Sequence, residues 1–187
     1  MSITRRLFLA AALALGAATP AFAPSAFAQS DPANTLYLDF KDGRVTIALD
    51  PVAAPKTVAH IQDLVRKGFY TNTPIHRVIP GFMAQMGDPT GTGGGPGSGT
   101  TVPAEFGPIP FERGTVGLAR TEDPNSGDSQ FFIMFDRNDY LDGKYTVFGK
   151  VTDGMDVVDK IKAGTREGGG IVENPDKLLK ATLGDMQ

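Results

Sequence analysis

The sequence predicts a mostly β fold, a barrel or sandwich of short strands whose ends are covered by helices. Short apolar segments separated by turns occupy most of the chain, whereas only two segments place apolar residues at helical spacing. The 23 glycines and 14 prolines among 187 residues agree with a chain that turns often. Many strands with few helices indicate one mostly β domain.

The first predicted elements are a β-hairpin and a helix. Thr35 to Phe40 alternates apolar and polar residues as a strand does, and Asp42-Gly43 is a typical hairpin turn before the returning strand Arg44 to Leu49. The predicted helix runs from Pro55 to Gly68, because proline suits a first helical turn and glycine suits the position after the last one. His60 falls within it and is interpreted as a partly exposed helix residue.

The rest of the chain predicts further strands and a second, shorter helix. Gly154 to Lys162 has Met155, Val158 and Ile161 on one helical face, and Leu178 to Leu183 predicts a closing strand. The remaining predicted strands are Ile75 to Ile79, Phe82 to Met86, Thr115 to Ala119, Phe131 to Phe135, and Thr146 to Val151.

Residues 1–28 are predicted to be a cleavable, twin-arginine-like signal peptide. Arg5 and Arg6 precede Leu7 to Ala18, a 12-residue apolar run that is too short to span a bilayer comfortably. Two Ala-Phe-Ala triplets follow, and we predict cleavage after Ala28, at the end of the second, because Pro24 directly follows the first. An uncleaved anchor is the alternative.

The predicted mature domain, residues 29–187, is therefore expected in the periplasm or outside the cell. General secretion and twin-arginine export remain alternatives for this signal. No later run is long and apolar enough to cross a membrane, and no spare apolar helix or heptad is visible, so we expect a monomer without a membrane span.

Composition excludes several classes of function. The chain has no cysteine, so it has neither a disulfide nor a thiolate nucleophile, and its two histidines are too few for most zinc sites. The formal net charge of −3 does not indicate a nucleic-acid partner. Gly91 to Thr101 lacks the Lys-Ser/Thr ending of a phosphate loop and is interpreted as a flexible surface loop. No cofactor or metal is predicted.

Two enzyme classes fit the sequence to different degrees. A hydrolase using Ser129 and His76 is a weak alternative, because no G-x-S-x-G elbow is present. The segment His76 to Asp88 is more informative, since it places Arg77 and Gln85 among apolar residues. Such a surface combines an obligate cation with apolar walls and has no nucleophile or general base. It suits a reaction that breaks no covalent bond.

Rotation about an X-Pro peptide bond is a reaction of this kind. Its barrier is about 18–20 kcal/mol, and the twisted transition state gives the prolyl nitrogen a basic lone pair. A guanidinium near that nitrogen would bind the twisted amide better than the planar one. The residues alone do not single out this reaction.

Three motifs make the assignment specific: HRVIPGFMAQMGDP, GTVGLARTEDPNSGDSQFFI and LDGKYTVFGKV, in this order. Together they resemble the cyclophilin family of peptidyl-prolyl cis-trans isomerases, and the resemblance extends from about Thr35 to Leu183. It implies a closed eight-stranded antiparallel β-barrel with a helix over each open end. It also implies proline-containing peptides and unfolded exported proteins as partners, and assistance to protein folding.

The resemblance also implies roles for individual residues. Arg77 resembles the catalytic arginine, and Gln85 the amide that orders it and contacts the substrate backbone. The proline pocket is implied to consist of Phe82, Met83, Phe132 and Leu141. The implied peptide-binding positions around it are Ala119, Arg120, Thr121, Gln130, Tyr140 and Tyr145.

Several positions depart from the family pattern. Ile75 stands where phenylalanine is common, Met86 replaces a frequent glycine, and Arg120 stands where many members have asparagine. Tyr140 replaces the tryptophan of drug-sensitive members, which argues against tight cyclosporin binding. Tyr145 replaces a histidine on the pocket rim. Arg120 and Tyr145 leave a second hypothesis open, a proline-peptide binding module or holding chaperone with negligible turnover.

Overall fold

The structure is a computed structural model, and it describes residues 31–187. The predicted signal peptide, residues 1–28, lies outside the described residues. Within these residues there are two α-helices, α1 (Pro55–Arg66) and α2 (Met155–Val158). The strands are β1 (Thr35–Phe40), β2 (Gly43–Leu49), β3 (Thr73–Pro74), β4 (Arg77–Ile79), β5 (Met83–Met86), β6 (Thr115–Leu118), β7 (Phe131–Met134), β8 (Val147–Asp153), β9 (Lys177–Leu178) and β10 (Lys180–Leu183).

Eight of these strands form one antiparallel sheet in the order β10-β1-β2-β8-β6-β7-β5-β4, and β3 pairs separately with β9. Side chains from all eight strands meet in a single interior cluster, which shows that the sheet curls around it. The mostly β prediction is therefore confirmed, as are the β1–β2 hairpin and the antiparallel pairing. Both helices add apolar side chains to the same cluster, among them Val58 and Ile61 of α1 and Val158 of α2.

The prediction of a closed barrel is wrong, because the edge strands β4 and β10 do not pair with each other. A glycine-rich loop, residues 164–171, covers the edge of β4 instead. The Val78 N–H donates to the Gly170 carbonyl at 2.7 Å, and the Gly164 N–H donates to the Val78 carbonyl at 3.0 Å. Since these bonds occupy the free edge of β4, no strand is needed there to satisfy its backbone.

The second helix and the closing strand are shorter than predicted. The α-helix ends at Val158, because the N–H groups of Lys160 and Ile161 donate three residues back, to Val157 and Val158, instead of four. The next N–H, of Lys162, leaves the turn and donates to the Asp176 carboxylate at 2.9 Å. The predicted strand Leu178 to Leu183 is divided, because β9 pairs with β3 whereas β10 pairs with β1. The Leu179 N–H between them donates to the Asp39 carbonyl at 2.9 Å.

Alternation along β5 and β7 separates an interior face from an outer face. Ala84, Met86, Phe131 and Ile133 belong to the interior cluster. The intervening residues Met83, Phe132 and Met134 belong to a second, smaller apolar cluster on the outer face. The strand register then places four residues in one row across that face, in the order Arg77, Gln85, Phe132 and Gly117.

Candidate active site

A cavity of about 110 Å³ opens on the outer face of the sheet; we call it the apolar cavity. It brings together most of the site residues that the family resemblance implied. Phe82, Met83, Phe132 and Leu141 supply apolar walls, while the cations and the amide stand at its sides. The full lining is Arg77, Phe82, Met83, Gln85, Ala119, Arg120, Phe132, Leu141 and Tyr145.

The back wall of the apolar cavity depends on two residues that sequence reasoning missed, Phe111 and Gly117. The buried Phe111 ring stacks on Phe132, with 5.7 Å between centroids and 24° between planes. A Cβ atom at Gly117 would lie 2.5 Å from Phe132 and 2.6 Å from Phe111. Glycine is therefore required there for the rings to approach β6. Glycine inside an otherwise apolar strand is the one sequence signal that marks such a close approach.

Tyr145 closes the opposite rim of the apolar cavity. Its ring meets Phe132 edge-on at 5.9 Å and Phe111 edge-on at 6.4 Å. The Arg120 guanidinium lies over the Tyr145 ring, 4.5 Å from the ring centroid. Edge-to-face and cation–π contacts of this kind each contribute about 0.5–1.5 kcal/mol. The tyrosine is thus fixed by three aromatic and cationic neighbours.

The Arg77 side chain is held in place by two neutral acceptors. Its Nε–H donates to the Gly169 carbonyl at 2.9 Å, and Nη1 donates to Gln85 Oε1 at 3.1 Å. Among residues 31–187, no carboxylate lies within 4.0 Å of this guanidinium. Burial lowers the pKa of Arg77 and Tyr145 opposes this, but an arginine remains charged at neutral pH.

A relay of side-chain amides connects Arg77 to the glycine-rich loop Gly91 to Thr101. Gln85 Nε2 donates to Gln130 Oε1 at 2.9 Å, and Gln130 Nε2 donates to the Gly93 carbonyl at 3.1 Å. The amide of Gln85 therefore accepts from the cation and donates onward, which fixes its orientation. The position of Arg77 is coupled in this way to the loop on the far side of the groove.

That loop borders a second cavity of about 290 Å³, which we call the loop cavity. Thr121 and Gln130 line it, and Gln85, Ala119 and Arg120 line both cavities. The two cavities therefore form one continuous groove along residues 119–121. The structure does not bring Tyr140 into this groove. Its side chain is 72% exposed, because Tyr140 and Leu141 are successive residues of a 3-10 helix and point in different directions.

The Gly91 to Thr101 loop is anchored by two carboxylates, which contradicts its interpretation as a flexible loop. Asp88, fully buried, accepts hydrogen bonds from the N–H groups of Thr90 and Gly93 at 2.8 Å each. Asp128 accepts from the N–H groups of Ser98 at 2.9 Å and Gly99 at 3.1 Å. Carboxylates that collect backbone donors order a loop without regular secondary structure.

Asp88 is ionised in the folded protein. Burial alone would raise its pKa, but hydrogen bonds from the Thr90 hydroxyl and from the backbone of Thr90, Gly93 and Gly95 outweigh burial and lower the pKa to about 2. His76 lies beside this loop and is also buried, and burial lowers its pKa although Asp88 opposes the effect. His76 is therefore neutral at pH 7.

The hydrolase alternative has no geometric support. The Ser129 hydroxyl is buried and donates to the Gly87 carbonyl at 2.8 Å. Within the described part of the chain, neither ring nitrogen of His76 has a hydrogen-bond partner. A serine nucleophile would need a histidine within hydrogen-bond reach. His60, half-buried on α1, instead contacts Asp128 at 3.3 Å.

Residues 31–187 lack two further features. They contain no group of three or more histidine, aspartate or glutamate side chains arranged to hold a metal ion. None of their helices has the length and apolar character needed to cross a bilayer.

Comparison with known proteins identifies the family. Residues 35–183 match the family model described as cyclophilin type peptidyl-prolyl cis-trans isomerase/CLD. A Brucella suis protein named probable peptidyl-prolyl cis-trans isomerase is 50% identical over 199 aligned residues, which cover 98% of this chain and 97% of that protein.

Solved structures agree with this match. Cyclophilin AquaCyp293 from Hirschia baltica superposes with a TM-score of 0.74 at 31% identity, covering 82% of this chain and 75% of the other. A Cryptosporidium parvum cyclophilin type isomerase, solved in the presence of the dipeptide Ala-Pro, superposes with a TM-score of 0.71 at 27% identity, covering 80% and 98%. The chain belongs to the cyclophilin family and is a peptidyl-prolyl cis-trans isomerase.

Proposed function

We propose that the apolar cavity holds the proline ring of the substrate and that Arg77 stabilises the twisted X-Pro amide. The observation that carries this proposal is the guanidinium itself. It stands at the side of a cavity walled by Phe82, Met83 and Phe132, and it is oriented by neutral acceptors only. Its charge is therefore not neutralised by a protein carboxylate and is available to the substrate.

The proposed reaction needs no proton transfer and no covalent intermediate. As the amide twists, resonance is lost and the prolyl nitrogen gains a lone pair that can accept a hydrogen bond from Arg77. A donor fixed in advance gains more from this twisted amide than from the planar one, which lowers the barrier. One such donor is worth about 3–4 kcal/mol, or roughly 100- to 1,000-fold in rate.

The rest of the groove suits an extended peptide. The Ala119 N–H donates to the Gln130 carbonyl and the Thr121 N–H to the Ser126 hydroxyl, so both are engaged. For the Arg120 N–H, no acceptor is present within residues 31–187. We infer that it donates to a substrate carbonyl while Gln85 and Gln130 contact the neighbouring peptide. The Ala-Pro dipeptide present with the Cryptosporidium relative supports a substrate of this class.

The direct test is the rate of cis-to-trans exchange of a short Ala-Pro peptide, measured by NMR with the protein lacking residues 1–28. We expect rapid exchange, and a loss of roughly 100- to 1,000-fold in kcat/KM for Arg77→Ala. Arg77→Lys should recover only part of the loss, because an ammonium cannot keep the same two contacts. Retained peptide binding with no acceleration by the unmodified protein would leave a proline-binding module or holding chaperone.

We also propose that the protein acts after export, on X-Pro bonds of proteins folding in the periplasm or outside the cell. The support is the sequence of residues 1–28, with paired arginines, an apolar run and an Ala-Phe-Ala triplet. In a Gram-negative host, we expect periplasmic protein whose N-terminus is Gln29. A cytoplasmic product that retains Met1 would refute export and leave the isomerase proposal unaffected.

A further inference from the structure

The arginines of the groove differ in their partners from four arginines elsewhere in residues 31–187. Arg44, Arg66, Arg113 and Arg137 each form an ion pair with an aspartate at 2.5–2.7 Å. The two arginines that line the apolar cavity, Arg77 and Arg120, have no carboxylate within 4.0 Å among residues 31–187. A chain with a formal net charge of −3 thus leaves two cations unneutralised in its substrate groove.

Neutral groups hold Arg120 in place. Its Nε and Nη2 donate to the Lys144 carbonyl at 3.2 and 2.9 Å, and Nη1 donates to the Thr121 carbonyl at 2.8 Å. One face of the guanidinium covers the Tyr145 ring. Carbonyl and ring contacts fix the side chain but do not cancel its charge, and one Nη2 hydrogen is left for a further acceptor.

The apolar cavity holds no charge that opposes these cations, since no acidic residue lines it. The loop cavity differs, because Asp128 lines it and its backbone partners, the N–H groups of Ser98 and Gly99, are neutral donors that leave its negative charge in place. Lys144 adds another cation beyond the rim, with its Nζ 3.9 Å from the centroid of the Tyr140 ring. The apolar cavity is thus lined by one sign of charge, and clefts of this kind attract ligands of the opposite sign.

We propose that Arg120 makes this isomerase selective for X-Pro bonds in which X is acidic, aspartate or glutamate. The inference rests on the proposed function, because it assumes that the proline ring enters the apolar cavity. Arg120 lines both cavities, so it lies where the chain passes from the proline toward the loop cavity. A carboxylate on the residue before proline then faces the Arg120 guanidinium and can accept a hydrogen bond from its remaining Nη2 hydrogen.

The test compares two peptides that differ by one isosteric residue, Ala-Glu-Pro-Phe and Ala-Gln-Pro-Phe. For each, kcat/KM is divided by the uncatalysed exchange rate, and the full chain is compared with Arg120→Gln, Arg120→Lys and Lys180→Gln. Lys180 is exposed on β10 and lines neither cavity, so its replacement removes the same charge elsewhere.

We expect the unmodified protein to prefer the Glu peptide by about two- to fivefold at low salt, the size of an exposed ion pair. Arg120→Gln should abolish the preference, Arg120→Lys should keep part of it, and Lys180→Gln should keep all of it. The preference should also vanish near about 1 M salt, where the Debye length is about 3 Å.

Three results would overturn the inference, and the last can be told apart from the first two. Equal corrected rates for both peptides with the unmodified protein, or an unchanged Glu-to-Gln ratio in Arg120→Gln, would make Arg120 only a support for Tyr145 and leave the isomerase function intact. No acceleration of either peptide would refute the proposed function, and this inference with it.

Discussion

The two faces of β5 and β7 belong to different parts of the molecule. Toward the interior, Ala84, Met86, Phe131 and Ile133 are buried in the main apolar cluster. Toward the outside, the same strands present the smaller apolar cluster and the Gln85 amide. The comparison indicates that one pair of strands stabilises the fold with one face and forms the substrate groove with the other. Two predictions test that separation directly and two test the loops beside the groove, from the largest expected effect to the smallest.

Replacing one residue on each side should separate stability from activity. Ile133→Ala removes a fully buried side chain and should lower the free energy of unfolding by about 2–5 kcal/mol, while kcat/KM per folded molecule stays near its original value. Arg77→Ala should lower kcat/KM strongly while it changes the free energy of unfolding by less than about 1 kcal/mol. Urea unfolding and peptide exchange at 10 °C measure both quantities. If both variants lost activity per folded molecule equally, the two faces would not be independent.

Gly117→Ala should damage the outer face selectively. The added methyl group would lie within 2.6 Å of Phe111 and Phe132, so the ring stack must move. We expect about 1–3 kcal/mol of destabilisation from overpacking, together with a raised KM because the back wall of the apolar cavity shifts. Val116→Ala is the matched control, since Val116 belongs to the interior cluster and should lose stability at unchanged KM.

The contribution of Asp88 to the stability of the folded protein should depend on pH. Its pKa is about 2 when folded and about 3.8 when exposed, so it stabilises the folded state fully above pH 4, and this contribution is lost as the pH falls toward 2. The contribution is about 2 kcal/mol. Asp88→Asn should therefore be less stable at pH 7, and its difference from the unmodified protein should shrink below pH 4. A difference that stays constant down to pH 2 would contradict the ionised, hydrogen-bonded carboxylate.

Gly169→Ala should have the smallest effect, and it tests how the edge of β4 holds Arg77. Gly169 has φ +66°, and its carbonyl accepts from Arg77 Nε, so alanine strains the backbone at about 1 kcal/mol. We expect kcat to fall a few-fold at unchanged KM. Gly143→Ala is the control, because Gly143 also has φ +66° and open space around its Cβ position but does not contact Arg77. Equal kcat values for both variants would exclude a positioning role.

Local signals predicted the first half of the fold well. The alternation in Thr35 to Phe40 and the Asp42-Gly43 turn specify the β1–β2 hairpin, and β1 has the predicted bounds. The apolar spacing of the first helix also placed α1 correctly, apart from its last residues. These elements were predictable because their signals lie within a few residues of one another. The second helix was predicted too long, since its last N–H groups turn to i→i−3 bonds and the Lys162 N–H donates to Asp176, fourteen positions away.

The sequence by itself determined the family, the hairpin, α1 and most of the residues that line the apolar cavity, because motifs and periodicity are properties of neighbouring residues. The tertiary structure decided the features that depend on distant pairs. These are the 164–171 loop that covers β4 in place of barrel closure, the Phe111 ring behind Phe132, and the two aspartates that anchor the Gly91 to Thr101 loop. It also decided that Arg120 lies over Tyr145 without a carboxylate, since only packing brings the two side chains together.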